Sequence, residues 1–316
     1  MTEAQAEQLS FPGEGVAPLT PSTPLHQAAE AFELYMANES FSMHTIKAFR
    51  GDLRLLGRYL EDDRPVGRIA TADLNRFLHY LLYERGVPCN PKSYARRVTT
   101  LKVFFKWLHR GGVLPQDPAA AVIQHSVGTP LPEILSDEEI ERALAVTRQM
   151  WQAEKPDPRP HLLLNLLLHT AIKKSECMAI HLQHIHRGAP DGPLLQVRYD
   201  DPGKQFKERK IPLPADILPV LDDYVAVYEI KDVLFPCTAR NLEYVLTDVA
   251  EQAGITKRSR KGISFEMLRW TAAVRDYVHG AVGPMEENRL RQKLGISEVT
   301  WQETGKKIKT LASRLE

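Results

Sequence analysis

The sequence predicts a mainly helical protein of two domains, the second carrying a small β-hairpin. Three observations lead there. From Leu25 onward, apolar residues recur at three- and four-residue spacing through most of the chain. Two short stretches, residues 194–199 and 208–213, flank the charged turn DDPGKQFKE and read as strands. A segment bearing Pro118, Gly128, Pro130 and Pro132 interrupts the helical pattern. The length of 316 residues agrees with about two domains at ~100–200 residues each.

In chain order, residues 1–24 carry little apolar periodicity and read as a loosely packed or disordered tail. Residues 26–38 place Ala28, Phe32, Tyr35 and Met36 at helical spacing. Residues 42–60 follow, with Ser42 as N-cap and Ile46, Phe49, Leu53, Leu56 and Leu60 on one face. Residues 71–84 make a third helix with Thr71 as N-cap, stopped by Gly86-Val87-Pro88. Residues 92–110 make a fourth, packed through Tyr94, Val98, Leu101, Phe104, Phe105 and Leu108 and ended by Gly111-Gly112. These four form a helical bundle over residues 25–124. A linker is expected at 125–135 and the second domain at 136–316. There, Ser136-Asp-Glu-Glu139 supplies a capping box for a helix running to Trp151. Residues 162–169 are nearly all apolar and read as a buried helix. Residues 216–227 and 239–253 are further helices, as is 264–278.

Composition narrows the function. Hydrophobic residues make up 43% and charged residues 26%, an ordinary balance for a chain with a sizeable core. No apolar run approaches the ~20 residues that cross a bilayer. The N-terminal residues have neither a basic n-region nor an apolar h-region, so we expect a cytoplasmic protein without a membrane partner. Cys89, Cys177 and Cys237 are far apart and fit small buried hydrophobes in a reducing compartment. No glycine-rich phosphate loop precedes a helix, which argues against an ATPase or dinucleotide enzyme. His181, His184 and His186 cluster without convincing metal spacing and are expected to be solvated or hydrogen-bonded. We expect no metal and no cofactor.

The net charge of +1 hides local asymmetry. Lys92, Arg96, Arg97, Lys102, Lys106 and Arg110 share one helix with no acid among them. Lys204, Lys207, Arg209 and Lys210 form a second group, Lys257, Arg258, Arg260 and Lys261 a third, and Lys306, Lys307 and Lys309 a fourth. Any one is an ordinary solvated face; four together favour a polyanion. Arg269 is distinct, because Leu268, Trp270, Ala272, Ala273 and Val274 surround it. A guanidinium in such company needs a partner, usually a carboxylate or a phosphate.

Three basic sites recur in order through the second domain: HTAIKKSECMAI (169–180), GKQFKERKIPL (203–213) and SFEMLRWT (264–271). The chain here resembles the tyrosine recombinases, or phage-type integrases, whose motifs run TGLR-x-SE, GKG-x-K-x-R-x-VPL and PH-x-LRHT. KLGISEVTWQET (293–304) sits where that family has LGH-S-x-x-x-T-x-x-Y. SMHTIKAFRGDLRLLGRYL and SYARRVTTLKVFFKWLHRGG look like its core-binding domain, and LPEILSDEEI like its interdomain entry. The resemblance implies a SAM-like helical core-binding domain followed by a recombinase catalytic-domain fold. It implies a duplex DNA partner clasped between the domains, homo-oligomers, and strand exchange through a phosphotyrosyl intermediate. Arginines suit that chemistry by offering paired donors to a pentacoordinate phosphate. A lysine can protonate the leaving oxygen, and the tyrosine makes the step covalent.

Carried over position by position, the match is damaged. The first arginine position is Lys173, which keeps the charge and loses the fork. The hairpin lysine is Lys204 and the second arginine is Arg269. We place Phe265 and Ile296 at the histidine positions, and the nucleophile near Thr304–Gly305, where there is no tyrosine. Tyr277 is the last tyrosine in the sequence, about two turns past Arg269. Neither Thr304 nor Ser297 has an apparent base. Lys173, Lys204 and Arg269 are therefore vestigial catalytic positions. The expected function is DNA binding without strand cleavage, through Lys173, Lys204, Lys207, Arg209 and Arg269 with Arg96, Arg97 and Lys102. The alternatives are an active or partner-assisted recombinase, and a regulatory scaffold that contacts a recombinase without touching DNA.

Overall fold

The computed structural model describes residues 18–87, 89–124, 130–255, 262–279 and 285–314. Most of the expected tail, Gly128 of the expected linker and the third basic group (Lys257, Arg258, Arg260, Lys261) lie outside the described residues. The chain divides into two compact units, Met1–Pro130 and Leu131–Glu316. It is mainly helical, with a small antiparallel sheet in the second unit.

Among its described residues the first unit has four α-helices: α1 (Leu25–Asn38), α2 (Met43–Leu60), α3 (Thr71–His79) and α4 (Pro91–Arg110). Their apolar stripes meet in a core that includes Phe32, Leu56, Phe77, Phe104 and Phe105. Phe32 packs edge-on against Phe104, ring centroids 5.3 Å apart, and against Trp107 at 5.1 Å. Ser42 caps α2, its Oγ accepting from the Thr45 N–H at 3.1 Å. The α3 cap differs from expectation. Ala70 is the N-cap and the Asp73 carboxylate accepts the Ala70 N–H, while Thr71 is inside the helix and its hydroxyl donates to the Pro118 carbonyl. The helix expected to reach residue 84 changes to a π-turn at Tyr80–Glu84.

One further expectation is corrected in this unit. The last residues of the expected tail are docked: the Val66 N–H donates to the Thr23 carbonyl, the Gly67 N–H to that of Pro21, and Leu19 packs on the core. Arg96 and Arg97 turn toward α2. Arg96 holds the buried Asp52 with both Nε (2.9 Å) and Nη2 (2.7 Å), Thr100 donates to the same carboxylate, and Arg97 Nε lies 3.5 Å from it. A buried carboxylate without partners would be very costly, so the helix face is organised around it. Arg97 also donates to the Cys89 sulfur. Cys89 and Cys237 are half-buried, and Cys177 is fully buried.

The second unit is built around α6 (Arg159–Thr170). Leu162, Leu163, Leu164, Leu166, Leu167 and Leu168 are all buried, because α5 (Asp137–Trp151), α8 (Ile217–Val227) and α10 (Phe265–Val278) pack around it. The Ser136 capping box closes as expected at the start of α5: Glu139 N–H to Ser136 Oγ at 3.3 Å, Ser136 N–H to Glu139 Oε2 at 2.9 Å. Ser136→Ala is expected to cost about 1 kcal/mol in urea denaturation. The short α7 (Lys174–Met178) leads into the sheet β1 (Ile185–His186), β2 (Leu194–Val197) and β3 (Arg209–Pro212), order β1-β2-β3, all antiparallel, with Leu195 opposite Ile211. β1 escaped the sequence reading because two residues carry no alternation. The charged turn is a 3-10 helix, Pro202–Lys207, capped by Asp201. After α9 (Ala239–Gln252) and α10, the helices α11 (Glu287–Leu294) and α12 (Glu298–Ala312) pack through Val274, Leu290, Leu294, Ile308 and Leu311. The end of the expected linker belongs to this unit: Leu131 and Ile134 join that apolar group, and Leu135 is buried with its N–H on Thr271 Oγ1.

Candidate functional site

Helix α11 ends at Leu294, and Gly295 follows in the left-handed conformation at φ 58°. The last carbonyls of a helix have no intrahelical partner and carry the negative end of its dipole. Three successive ones are met here by the three basic motifs. Arg209 Nε, from β3, donates to the Lys293 carbonyl at 2.6 Å. Arg269 Nη2, from α10, donates to that of Leu294 at 2.6 Å. Lys173 Nζ, just before α7, lies 3.5 Å from that of Gly295. A Cβ at 295 would meet Arg209 Nη1 at 2.6 Å, so a larger residue there would have to displace that guanidinium.

Arg269 also donates through Nη1 to the carbonyl of Ala171. Ala171 ends α6 in the left-handed region at φ 52°, where a residue with a Cβ is disfavoured. The partners of Arg269 are thus main-chain carbonyls at two helix ends rather than the carboxylate or phosphate expected. Burial lowers its guanidinium to about 10, against the upward pull of Glu176, so it is charged at neutral pH.

Glu176 is the counter-charge. Its side chain is 1% exposed and its two oxygens receive the Arg209 fork at 3.1 and 2.9 Å. Glu176 Oε2 also accepts the Lys173 N–H at 2.7 Å, and Oε1 accepts the Tyr199 hydroxyl. Burial alone would raise this carboxyl; the Arg209 fork and charge, with the Lys173 N–H and Tyr199, overcome it and hold Glu176 at about 2. Tyr199 is pushed up to about 12 by burial and by its bond to Glu176. Arg209 also donates to the Lys207 carbonyl and is 9% exposed. The Arg209 donors are thus engaged inside the unit.

Beside this junction is a pocket of about 250 Å³. Lys173 and Arg269 supply its cations, Ile296 and Leu294 its apolar wall, Thr304 its α12 side and Glu266 its α10 side. Burial lowers Lys173, against the pull of Glu176, and Arg269 lowers it further. Four positions singled out in sequence (Lys173, Arg269, Ile296, Thr304) thus converge on one cavity. Phe265 does not line it; it is buried in the main core. The residue one turn before Arg269 on the pocket side is Glu266. The i, i+3 rule of a helix identifies it, and counting back three from Arg269 would have found it. Of the two residues at the expected nucleophile position, Thr304 lines the pocket and Gly305 is buried in α12, where a Cβ would lie 3.1 Å from Trp301 Cε2. The Trp301 indole lies across the surface that a side chain at 305 would need. Ser297 is the N-cap of α12, and Tyr277 packs among the apolar residues of α10 to α12.

The other expected contacts lie apart from the pocket. Lys204 is exposed on the β2–β3 turn, paired with Asp201 at 2.6 Å. Lys207 sits over the Phe206 ring. Lys102 lines a depression in the first unit with Lys106, His109 and Arg110. His181 bonds Asp232, His186 bonds Gln196, and His184 accepts the His181 N–H. Among the described residues no group of three or more His, Cys, Asp or Glu is placed to hold a metal ion, and no helix is long and apolar enough to cross a membrane.

Residues 29–112 match the phage integrase N-terminal SAM-like domain. Tyrosine recombinase XerD of Listeria innocua is 25% identical over 194 residues, and tyrosine recombinase XerC of Mycobacterium bovis 31% over 187. The chain is thus similar in sequence to the tyrosine recombinases. The XerD match covers 60% of this chain and 61% of the relative, the XerC match 58% and 59%, so the chain spans about three fifths of these tyrosine recombinases. A solved structure of a lambda integrase dimer bound to a COC' core site has the same fold, with a TM-score of 0.68 at 17% identity, covering 89% of this chain and 77% of that one. Within the recombinase fold, the first unit carries the SAM-like match and the second the pocket.

Proposed function

We propose that this chain is a DNA-binding protein on the tyrosine recombinase scaffold that does not cleave strands. One observation carries the reading: the pocket where the recombinase motifs converge keeps two cations, Lys173 and Arg269, while the two residues at the expected nucleophile position, Thr304 on the pocket wall and Gly305 under the Trp301 indole, include no tyrosine. Fixed cations hold a phosphodiester; they do not form a bond to phosphorus. Glu266 and Ile296 replace groups that donate to a phosphate oxygen with an acid and a hydrocarbon. The partner is duplex DNA; lambda integrase has been solved bound to DNA and, as a dimer, bound to a COC' core site, and assembly as a homo-oligomer follows the same parallel. The contacts belong to the groups the fold leaves at the surface: Lys204 and Lys207 on the β2–β3 turn and Lys102 on α4, with Lys173 and Arg269 in the pocket. Arg209, Arg96 and Arg97 serve Glu176 and Asp52 instead. The protein works in the cytoplasm, without metal or cofactor.

Fluorescence anisotropy with random-sequence duplex tests this. Affinity should fall steeply between about 50 and 200 mM salt, and Lys204→Ala with Lys207→Ala should reduce the slope of log K against log salt by roughly two, at ~0.9 per phosphate lost. The same samples boiled in detergent should contain no covalent protein–DNA adduct. An adduct would establish an active recombinase, with a nucleophile from this chain or a partner. Failure to bind at low salt would establish a scaffold that contacts proteins only.

A further inference from the structure

At the apex of the β2–β3 turn, Phe206 is 73% exposed. Scattered exposed apolar residues are normal in proteins, but this ring has unusual surroundings. Lys204 and Lys207 share its six-residue 3-10 helix, and Lys207 Nζ sits 5.1 Å from the ring centroid. The turn is also built to stay in place. Asp201 accepts the Gly203 N–H through Oδ1 at 3.0 Å and the Lys204 N–H through its carbonyl at 2.8 Å. Glu208 closes the other side, its N–H on the Gln205 carbonyl and its Oε1 on the Tyr199 N–H. Directly below, Arg209 is locked to Glu176. An ordered turn therefore holds an aromatic face out in water, with the Lys207 ammonium over the ring and Lys204, paired with Asp201, on the same 3-10 helix.

We propose that Phe206 is a base-stacking wedge: with the lysines on backbone phosphates, the ring inserts against a base step and partly unstacks it. The chemistry fits on both sides. Every base has a π face, so aromatic stacking is tolerant of sequence, and it adds to the cationic grip on the backbone. Apolar side chains inserted between steps kink duplexes and let more protein surface engage. This inference rests on the DNA-binding reading above, and it adds a residue that acts on the bases rather than on phosphate charge.

The test separates the two. Phe206→Trp places an indole at the apex; its emission, compared with wild-type background, should be quenched at saturating duplex. Phe206→Ala should weaken binding roughly ten-fold with no change in the salt slope, whereas Lys207→Ala should lower the slope and leave the Phe206→Trp quenching intact. The wedge is overturned, with DNA binding standing, if wild type binds but Phe206→Trp emission does not change, or if Phe206→Ala binds as well as wild type. A Phe206→Ala loss that appears wholly in the salt slope overturns it too, because the ring would then be acting through Lys207. If wild type does not bind duplex at low salt, both readings fall, and the exposed ring is a protein contact.

Discussion

Glu176→Ala is expected to destabilise the second unit by roughly 3–5 kcal/mol, the largest effect of any single substitution outside the apolar core. The carboxylate is 1% exposed and neutralises a guanidinium that is itself 9% exposed. Removing it leaves Arg209 as a buried charge without a counter-ion, and frees the Lys173 N–H and the Tyr199 hydroxyl. The damage spreads, because Arg209 also fastens β3 to the end of α11. Glu176→Gln keeps the shape and supports the sign of the pH argument. The folded-state carboxyl is held at about 2, below its ordinary value of 4.5, so its contribution is fully present above about pH 4.5 and is lost as pH falls toward 2. By linkage this shift corresponds to about 3 kcal/mol. Urea denaturation of wild type should lose that much stability between about pH 5 and pH 2 beyond the loss in Glu176→Gln. Parallel pH curves for the two proteins would show that Glu176 is not the group that titrates.

How much of this was legible in the sequence depends on the kind of signal. Helices with long apolar stripes were legible, because burial of one face sets their period: the leucines of α6 and the aromatics of α4 lie where the spacing placed them. The Ser136 capping box was equally readable, since its two hydrogen bonds are local. Motif order also brought Lys173, Arg269, Ile296 and Thr304 to one pocket. What could not be read was which basic residues face water. Arg96 and Arg209 look like Lys102 and Lys204 in a sequence, and only the fold puts Asp52 and Glu176 opposite the arginines. The same holds for Arg269, whose partners are carbonyls 98 and 25 residues away in the chain. The Glu266 error was of another kind, a one-residue misplacement that helical spacing from Arg269 corrects.

Gly305→Tyr is expected to fail to restore strand cleavage, and to cost stability as well. The glycine is buried in α12, and the Trp301 indole already lies 3.1 Å from where a Cβ would stand. A tyrosine must displace that ring, which packs against the apolar group of α10 to α12 and donates to Glu287. Overpacking of this sort costs roughly 1–3 kcal/mol. Trp301→Ala in the same chain should recover part of it, so the two substitutions are non-additive. The chemistry stays poor even with a tyrosine in place. Each missing donor to a developing oxyanion costs about two to three powers of ten in rate, and both Glu266 and Ile296 stand where such donors are needed. Glu266 adds an acid beside a phosphate that must gain charge. Arg269, for its part, is directed to the carbonyls of Ala171 and Leu294. On a nicked duplex that traps the phosphotyrosyl product, a denaturing gel should show no adduct for Gly305→Tyr or for Gly305→Tyr with Trp301→Ala. An adduct appears only once Glu266→His and Ile296→His are added, if the deficit is the donor set. Cleavage by Gly305→Tyr alone would mean that the pocket still stabilises the transition state, and that the glycine is the whole of what separates this chain from a working recombinase.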